Sequence, residues 1–347
     1  MADITIRGAG IFGLSIAWIC ARRGARVQVI DPHGVGAGAS GGLVGALAPH
    51  VPENWNDKKA FQFESLLMAE AFWAEVEAAG GTASGYGRTG RLQPIADDHA
   101  LTLARAREET AKSLWTTHAS WRVVPEADAQ GWAPASPTGL LIHDTLSARM
   151  HPRRACAALV AALATHGITV KAEGPDEGAI LWSTGVAGLE DLNAGHHRTV
   201  GTGVKGQAAL LAPTNPLPQS APQLFADALH IIPHADGTIA IGSTSERDYD
   251  DPTCTDAQLD DVIARAKVQV PTLQEAKVID RWAGLRPRAR SRAPMLGPWP
   301  DKPGTFIANG GFKIGFGMAP KVAQVMADLI LDGQDRIPEA FRVEASL

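Results

Sequence analysis

The ten residues "RGAGIFGLSI" (7–16) place Gly8, Gly10 and Gly13 in a G-x-G-x-x-G spacing close to the N-terminus. The flanking residues make that spacing informative. "DITIR" before it is a short β-rich run. "IFGLSIAWICARRG" after it sets Phe12, Ile16, Ile19 and Cys20 at helical spacing and stops at Gly24. "RVQVID" is a second strand, ending at Asp31. Strand, glycine turn, helix and strand form the context in which this pattern holds a dinucleotide. Gly8 permits the tight turn, Gly10 the approach of a pyrophosphate, and Gly13 close packing of helix on strand. The phosphates would meet the positive helix N-terminus. Asp31 would take ribose hydroxyls and disfavour a 2′-phosphate. The plainer alternative is a tightly packed helix with no ligand, and the arrival of an acid near the expected ribose spacing weighs against it.

A chain of 347 residues exceeds a typical single domain and predicts two domains or one large composite. The formal net charge of -5 gives no basic stripe of the kind nucleic acid wants, so no nucleic-acid partner is expected. No apolar run approaches the roughly 20 residues of a membrane span. "MADITIRGAG" lacks the basic and apolar regions of a signal peptide, and a cytoplasmic location is expected. Cys20, Cys156 and Cys254 are far apart and odd in number, which predicts neither a disulfide framework nor a metal site.

Further along, "GVGAGASGGLVGALAP" (34–49) is too glycine-rich for regular structure yet carries no charge. It reads as backbone approaching a flat ligand rather than as a linker. Residues 61–79 and 97–112 are expected to be helical, the second one solvated. "GRTGRLQPI" reads as turn and strand, and 121–145 as irregular. "HPRRACAALVAALATHG" is a helix with Pro152 in its first turn and a stop at Gly167. "ITVKAE" and "AILWSTG" read as strands, the second ending in a small-residue turn. "LHIIPHADGTIAIGST" is a hairpin turned at Asp236-Gly237, and 256–270 an amphipathic helix. "DRWAGLRPRARSRAPMLG" carries Arg286, Arg288, Arg290 and Arg292 at even spacing, which would share one face if the run were extended. "FIANGGFKIGFGMAP" reads as a strand into a glycine-rich turn, leading to a helix from Pro320 to about Leu331. The nucleotide-type elements fall at 1–49, 145–205 and 281–347, and 50–144 with 206–280 make the remainder. This predicts an α/β (α+β) chain: a discontinuous Rossmann-like domain interleaved with a second unit of hairpins and helices.

Four of these segments together carry a resemblance: "GAGIFGLSIAWICARRGARVQVID", "GASGGLVGALAP", "WAGLRPRARSRAPMLG" and "NGGFKIGFGMAP". The chain resembles the D-amino-acid oxidase superfamily of flavoproteins over nearly its whole length, in layout most like glycine oxidase and sarcosine oxidase. The resemblance implies FAD as the dinucleotide, and it makes the second unit a smaller antiparallel-sheet substrate domain covering the flavin face. Gly8, Gly10, Ile11, Phe12, Gly13 and Asp31 match the ADP-binding elements, and Ser40 a position near the pyrophosphate. Gly45, Ala46 and Leu47 match backbone lying against the flavin ring. Thr184 and Gly185 match a second ADP-contacting turn. Ile314, Gly315 and Phe316 match the turn whose N–H groups face the flavin C2 carbonyl, where a helix N-terminus suits negative charge.

On the substrate side, the resemblance assigns Arg286 of "GLRP" to the arginine that pairs with the substrate carboxylate in glycine and D-amino-acid oxidases. A planar fork suits that task. Lys313 of "GGFK" instead matches a carboxylate-binding lysine of the sarcosine oxidases, and His230 stands where glycine oxidases carry a tyrosine. Ser291 replaces an acid often found after "GLRP". No cysteine in "RAPMLGPWPDKPGTF" matches the one that tethers flavin in sarcosine oxidases, so FAD is expected to be noncovalent. Between "ITVKAE" and "AILWSTG" the family places several more strands, where this chain has only "GPDEG". The expected reaction is oxidation of the C–N bond of a carboxylate-bearing amine or amino acid by hydride transfer to flavin N5. Arg286, Lys313 and His230 would serve the substrate, and O2 or another acceptor would take the electrons. Two other readings stand beside it. One is oxidative removal of a carboxymethyl group from a modified tRNA nucleoside. The other is a flavin-binding subunit without turnover.

Overall fold

The computed structural model describes residues 1–347 except Gln130 and Asp301. Numbered in chain order, six strands form one sheet in the order β15 (Met295–Pro298), β16 (Thr305–Asn309), β9 (Ala179–Trp182), β1 (Ile4–Arg7), β2 (Val27–Ile30) and β8 (Val170–Lys171). All neighbours in it are parallel except β15 against β16. The second sheet has eight strands: β14 (Lys277–Ala289), β10 (Gly201–Ala212), β13 (Ile239–Gly242), β12 (Leu229–Pro233), β11 (Gln223–Ala226), β4 (Arg91–Pro94), β6 (Leu140–Asp144) and β5 (Trp121–Pro125). It is antiparallel apart from β11 with β4. A short pair, β3 (Ala46–Leu47) with β7 (Ala148–Arg149), completes the pairing. The helices are α1 (Ile11–Arg22), α2 (Asp57–Gly80), α3 (Asp98–Leu114), α4 (Pro152–Ala164), α5 (Gly185–Ala194), α6 (Ala257–Gln269) and α7 (Gly315–Asp332).

The opening βαβ unit forms as its residues dictate. Ile4 and Ile6 are fully buried, and α1 buries nearly every side because it lies between α4 and α7. Gly24 closes it at φ +86°. His151 caps α4, its Nδ1 accepting the Arg154 N–H, and Pro152 opens the first turn where no N–H is needed. In the second unit, Leu259, Val262, Ile263 and Ala266 of α6 pack on the outer face of the eight-stranded sheet.

Several expectations need correction. Residues 121–145 are not irregular: β5 and β6 pair over their full length. The Trp- and Pro-rich composition belongs to the connection between them, where Trp132 is buried and donates to the Pro222 carbonyl. Helix α2, assigned to the substrate unit, packs instead on α4 and α7 beside the six-stranded sheet. The expected divisions at 205/206 and 280/281 fall inside β10 and β14, both of which belong wholly to the eight-stranded sheet. The arginine run is extended only to Ala289. Arg286 and Arg288 stand on the strand, Arg290 reaches the terminal carbonyl of Leu347, and Arg292 turns away at φ +59°. Helix α7 begins at Gly315, five residues before Pro320, which lies inside it.

The short "GPDEG" connection has a visible duty. It crosses one face of the six-stranded sheet, where Thr5 Oγ1 both accepts the Glu177 N–H and donates to its carbonyl, each at 2.8 Å. Gln28 donates to the Pro175 carbonyl at 2.7 Å, and Arg7 Nε to Asp176 at 2.7 Å. A strap tied by polar side chains thus stands where the family places additional strands in sequence.

Candidate active site

A cavity of about 910 Å³ opens at the carboxyl ends of β1, β2, β9 and β16 and runs to the inner face of the eight-stranded sheet. Ligands of open parallel sheets bind at this end, outside the strand termini.

At the first end the glycine turn is built by backbone. The Gly8 N–H donates to the Ile30 carbonyl at 2.8 Å, and Gly8 takes φ +108°. A Cβ on Gly8 would stand 2.3 Å from the Ser183 carbonyl oxygen. One on Gly13 would stand 2.0 Å from the Gly8 carbonyl oxygen, so Gly13 serves packing and does not line the cavity. Gly8, Gly10, Ile11 and Phe12 do line it. Asp31 accepts the Ala9 N–H at 2.8 Å on Oδ2 and the His33 N–H at 2.9 Å on Oδ1. A carboxylate offers about four acceptor sites, so capacity remains toward the cavity that Asp31 lines. Ser40 Oγ accepts the Ile11 N–H at 2.9 Å, one of the orphan donors of α1. Its own hydroxyl proton is therefore free to be donated at the helix N-terminus. Thr184 Oγ1 is buried with no hydrogen-bond partner among the described residues, and it lines the cavity beside Gly185.

In the middle, Gly45 and Ala46 line the cavity, but Leu47 is fully buried in the core behind them. Gly45 is also held from the other side. Its carbonyl accepts the Met150 N–H at 2.9 Å, and a Cβ there would meet the Met150 carbonyl oxygen at 2.0 Å. Gly315 and Phe316 line the cavity as the first residues of α7, whereas Ile314 is directed into the core. The earlier start of α7 brings the unpaired N–H groups of its first turn to the cavity wall.

At the far end lie Arg286, Lys313 and His230. Arg286 is 7% exposed. Its Nη1 donates to Ser243 Oγ at 2.6 Å, and its Nη2 donates to the carbonyls of Thr244 at 2.5 Å and Lys205 at 3.2 Å. Nε has no partner among the described residues. The guanidinium lies where a Cβ on Gly206 would be, 2.4 Å from Cζ, so only glycine on β10 leaves room for it. Burial pulls its pKa down to about 10, against the opposing pull of Glu246. Glu246 itself is engaged by Lys205 at 3.5 Å and by Gln207 at 3.1 Å.

Lys313 is exposed by surface area, yet the packing around its ammonium, followed by Arg286 and Arg288, holds its pKa below the usual lysine range. His230 stacks on Phe225 with centroids 4.7 Å apart, and its Nδ1 is unpartnered. Burial, with Arg91 and Lys313, pushes its pKa down to about 3, so the imidazole is neutral near pH 7. His234 is remote from the cavity and stacks on His151 at 4.5 Å. No group of three His, Cys, Asp or Glu able to hold a metal ion occurs among the described residues.

Residues 3–329 match the family model described as FAD dependent oxidoreductase. The chain belongs to that family. This FAD-dependent oxidoreductase is 26% identical to a glycine oxidase of Pseudomonas putida over 372 residues, 97% of each chain. It is 27% identical to the bifunctional protein ThiO/ThiG of a Nostoc species, matching 95% of its own length and 53% of that protein. It thus spans about half the length of the bifunctional relatives it matches. Among solved structures, it superposes on an iminodiacetate oxidase from Chelativorans sp. with a TM-score of 0.87 at 21% identity, covering 98% of each chain. The TM-score with a glycine oxidase of Geobacillus kaustophilus is 0.85 at 20% identity, covering 99% of this chain and 98% of that one. A Rossmann-like α/β unit joined to a largely antiparallel sheet is the architecture of this oxidoreductase, the first as the glycine turn implied and the second as the resemblance implied.

The cavity fits FAD on the chain's own terms. It has a glycine turn that no Cβ could enter, an acid beyond β2, an unpartnered threonine hydroxyl and a helix N-terminus. Sequence reasoning missed other wall residues of this oxidoreductase. Arg7 and Trp182 face each other at 5.4 Å and line the nucleotide end. Ser243 and Phe312 complete the Arg286 end. Trp282 lines the cavity, as a pocket wall would. Arg7 sits one residue before the glycine motif; Ser243 and Phe312 carry no pattern that marks them.

Proposed function

We propose that the protein oxidises the C–N bond of an amine or amino acid bearing a carboxylate, with Arg286 as the carboxylate clamp. One observation carries this reading. Arg286 is a buried cation on the cavity wall whose bonded partners are a hydroxyl and two carbonyls, and whose Nε is unpartnered among the described residues. Burying a charge costs several kcal/mol. Glu246 opposes part of that cost from a distance, but no carboxylate among the described residues bonds the guanidinium, and a substrate carboxylate would offset the rest. FAD, held noncovalently, would supply the two-electron acceptor.

The chain's residues would do the positioning. The Arg286 fork would fix the carboxylate and hence the neighbouring C–H. His230, neutral, could share a hydrogen bond with the amine without adding a repelling charge. The cations around it would favour binding of the amine in its neutral form. Orientation of this kind and fixed charge supply the rate, with no dedicated base required. The relatives named for glycine and iminodiacetate oxidation agree with a small, carboxylated amine. The deciding experiment is anaerobic mixing of the yellow protein with amino acids, N-alkyl glycines and carboxymethylated nucleosides while following flavin bleaching. Bleaching by a carboxylated amine is expected. Bleaching only by the nucleosides, or by none of the panel, would overturn the reading.

Two further expectations concern the cofactor. Acid precipitation should leave the yellow colour in the supernatant, since no tethering cysteine matches; colour held in the pellet would mean a covalent bond. Asp31→Asn should weaken FAD binding by about 1.5–3 kcal/mol, the worth of hydrogen bonds to a charged acceptor. Fluorescence titration of apoprotein with FAD measures this, and unchanged affinity would place the ribose elsewhere. Asp31 accepts the Ala9 N–H on one oxygen and the His33 N–H on the other, and asparagine keeps an acceptor for only one of them, so circular dichroism of the variant must show the fold retained.

A further inference from the structure

Three cations surround one ring, Phe312; Arg286 and Lys313 line the substrate end of the cavity, and Arg288 reaches the ring without lining the cavity. Arg286 Cζ, Arg288 Cζ and Lys313 Nζ lie 5.6, 5.7 and 5.6 Å from the centroid of Phe312. The ring is held by an unusual backbone: Phe312 adopts φ +44°, pinned by its N–H donating to the Pro287 carbonyl at 3.0 Å. A bulky residue in the left-handed region is strained, and such strain clusters at ligand clamps.

Neither Lys313 Nζ nor the Arg288 guanidinium makes a hydrogen bond or ion pair among the described residues. The acids that could neutralise the group are occupied or distant. Glu246 is engaged by Lys205 and Gln207. The carboxylates on the cavity wall are Asp31, bound to the glycine turn, and Asp191, on α5 at the nucleotide end. One carboxylate on Arg286 would therefore leave the half-buried Arg288 and the exposed Lys313 without a counter-charge beside them.

We propose that the substrate is a dianionic amine, with one carboxylate on Arg286 and a second, a few atoms away, on Lys313 with Arg288 beside it. Both cations reach the same ring, so a short chain between the carboxylates spans them. Phe312 is the floor that holds the cations apart and in register. This assignment rests on the carboxylate-clamp reading above, and it excludes glycine as the preferred substrate.

The test uses the FAD-loaded protein and non-oxidisable acids. Butyrate is compared with succinate and glutarate, and binding is read from the perturbation of the flavin spectrum and from the shift in Tm. The better dicarboxylate should bind roughly tenfold or more tightly than butyrate, in line with close charge pairs at interfaces. Lys313→Met should bring the ratio of the two dissociation constants close to one, and Arg288→Gln should reduce it. If Lys313→Met loses its yellow colour, Arg288→Gln and the salt dependence of the wild-type ratio provide the same comparison. Equal affinity for mono- and dicarboxylates, or an unchanged ratio in both variants, overturns the dianion proposal. In that case, bleaching by a monocarboxylated amine would leave the clamp reading standing. Failure of every acid to perturb the flavin would overturn both.

Discussion

Replacing Arg286 by alanine should lower kcat/KM for the best carboxylated amine by roughly 30-fold to several thousand-fold, the kinetic equivalent of about 2–5 kcal/mol lost when one partner of a buried charge pair is removed. The same variant should act on the decarboxylated amine about as well as the wild type does. The expectation follows from how the side chain is housed. Gly206 leaves the space for the guanidinium, and Ser243 Oγ with the Thr244 and Lys205 carbonyls aims it. Alanine would leave those acceptors unpaired as well as the substrate's anion. Arg286→Lys should recover only part of the loss, because an ammonium is a point charge without the fork. The measurement is steady-state kinetics of wild type, Arg286→Ala and Arg286→Lys on the matched pair of substrates. Equal loss on both substrates would make Arg286 a structural residue of the β10–β14 seam and would remove the clamp from the site.

The second large effect is expected at the glycine turn. Gly13→Ala would place a Cβ 2.0 Å from the Gly8 carbonyl oxygen, and Gly8→Ala one 2.3 Å from the Ser183 carbonyl oxygen at φ +108°. Both obstacles are backbone of the residues directly after β1 and β9, tied by the Gly8 N–H to the Ile30 carbonyl and the Ser183 N–H to the Arg7 carbonyl, so neither can give way as a flexible side chain would. Either variant should be purified without bound FAD or be recovered unfolded. Gly24→Ala is the internal comparison. It also has a positive φ, +86°, but nothing lies within 4 Å of its Cβ. Its cost should be limited to the roughly 1–2 kcal/mol of an L-residue in the left-handed region, and the protein should stay yellow. The ratio of visible to ultraviolet absorbance after purification, with circular dichroism for folding, distinguishes the cases. A yellow Gly13→Ala protein would show that helix and strand do not meet as closely as described.

What was legible in the chain was its local, periodic part. The G-x-G-x-x-G turn was legible because Gly13 answers a contact inside the unit, the Gly8 carbonyl, whereas the close neighbour of Gly8 itself, the Ser183 carbonyl after β9, is supplied only by the tertiary fold. Helix α4, with His151 and Pro152 at its start, and the hairpin turned at Asp236-Gly237 are likewise read from nearest neighbours in sequence. The candidate carboxylate arginine was legible only through resemblance, since an isolated Arg286 in an arginine-rich run is chemically silent.

Tertiary structure decided the rest. Pro320 reads as the start of a helix, yet α7 begins at Gly315, because packing against α1 and α2 holds the extra turn through the proline. Trp132 makes a paired strand region look irregular, because its partner, the Pro222 carbonyl, is 90 residues away. The strap at 174–178 is ordered by Thr5 and Gln28, whose bonding no local pattern announces. The substrate end depends most on this level of structure. Gly206, Ser243, Arg286, Phe312 and Lys313 come from β10, the residue after β13, β14 and the turn before α7. Spacing within a segment reports periodicity and turns, and these residues share neither. Only the closure of two sheets around one cavity brings three cations to a single ring and removes their counter-charges.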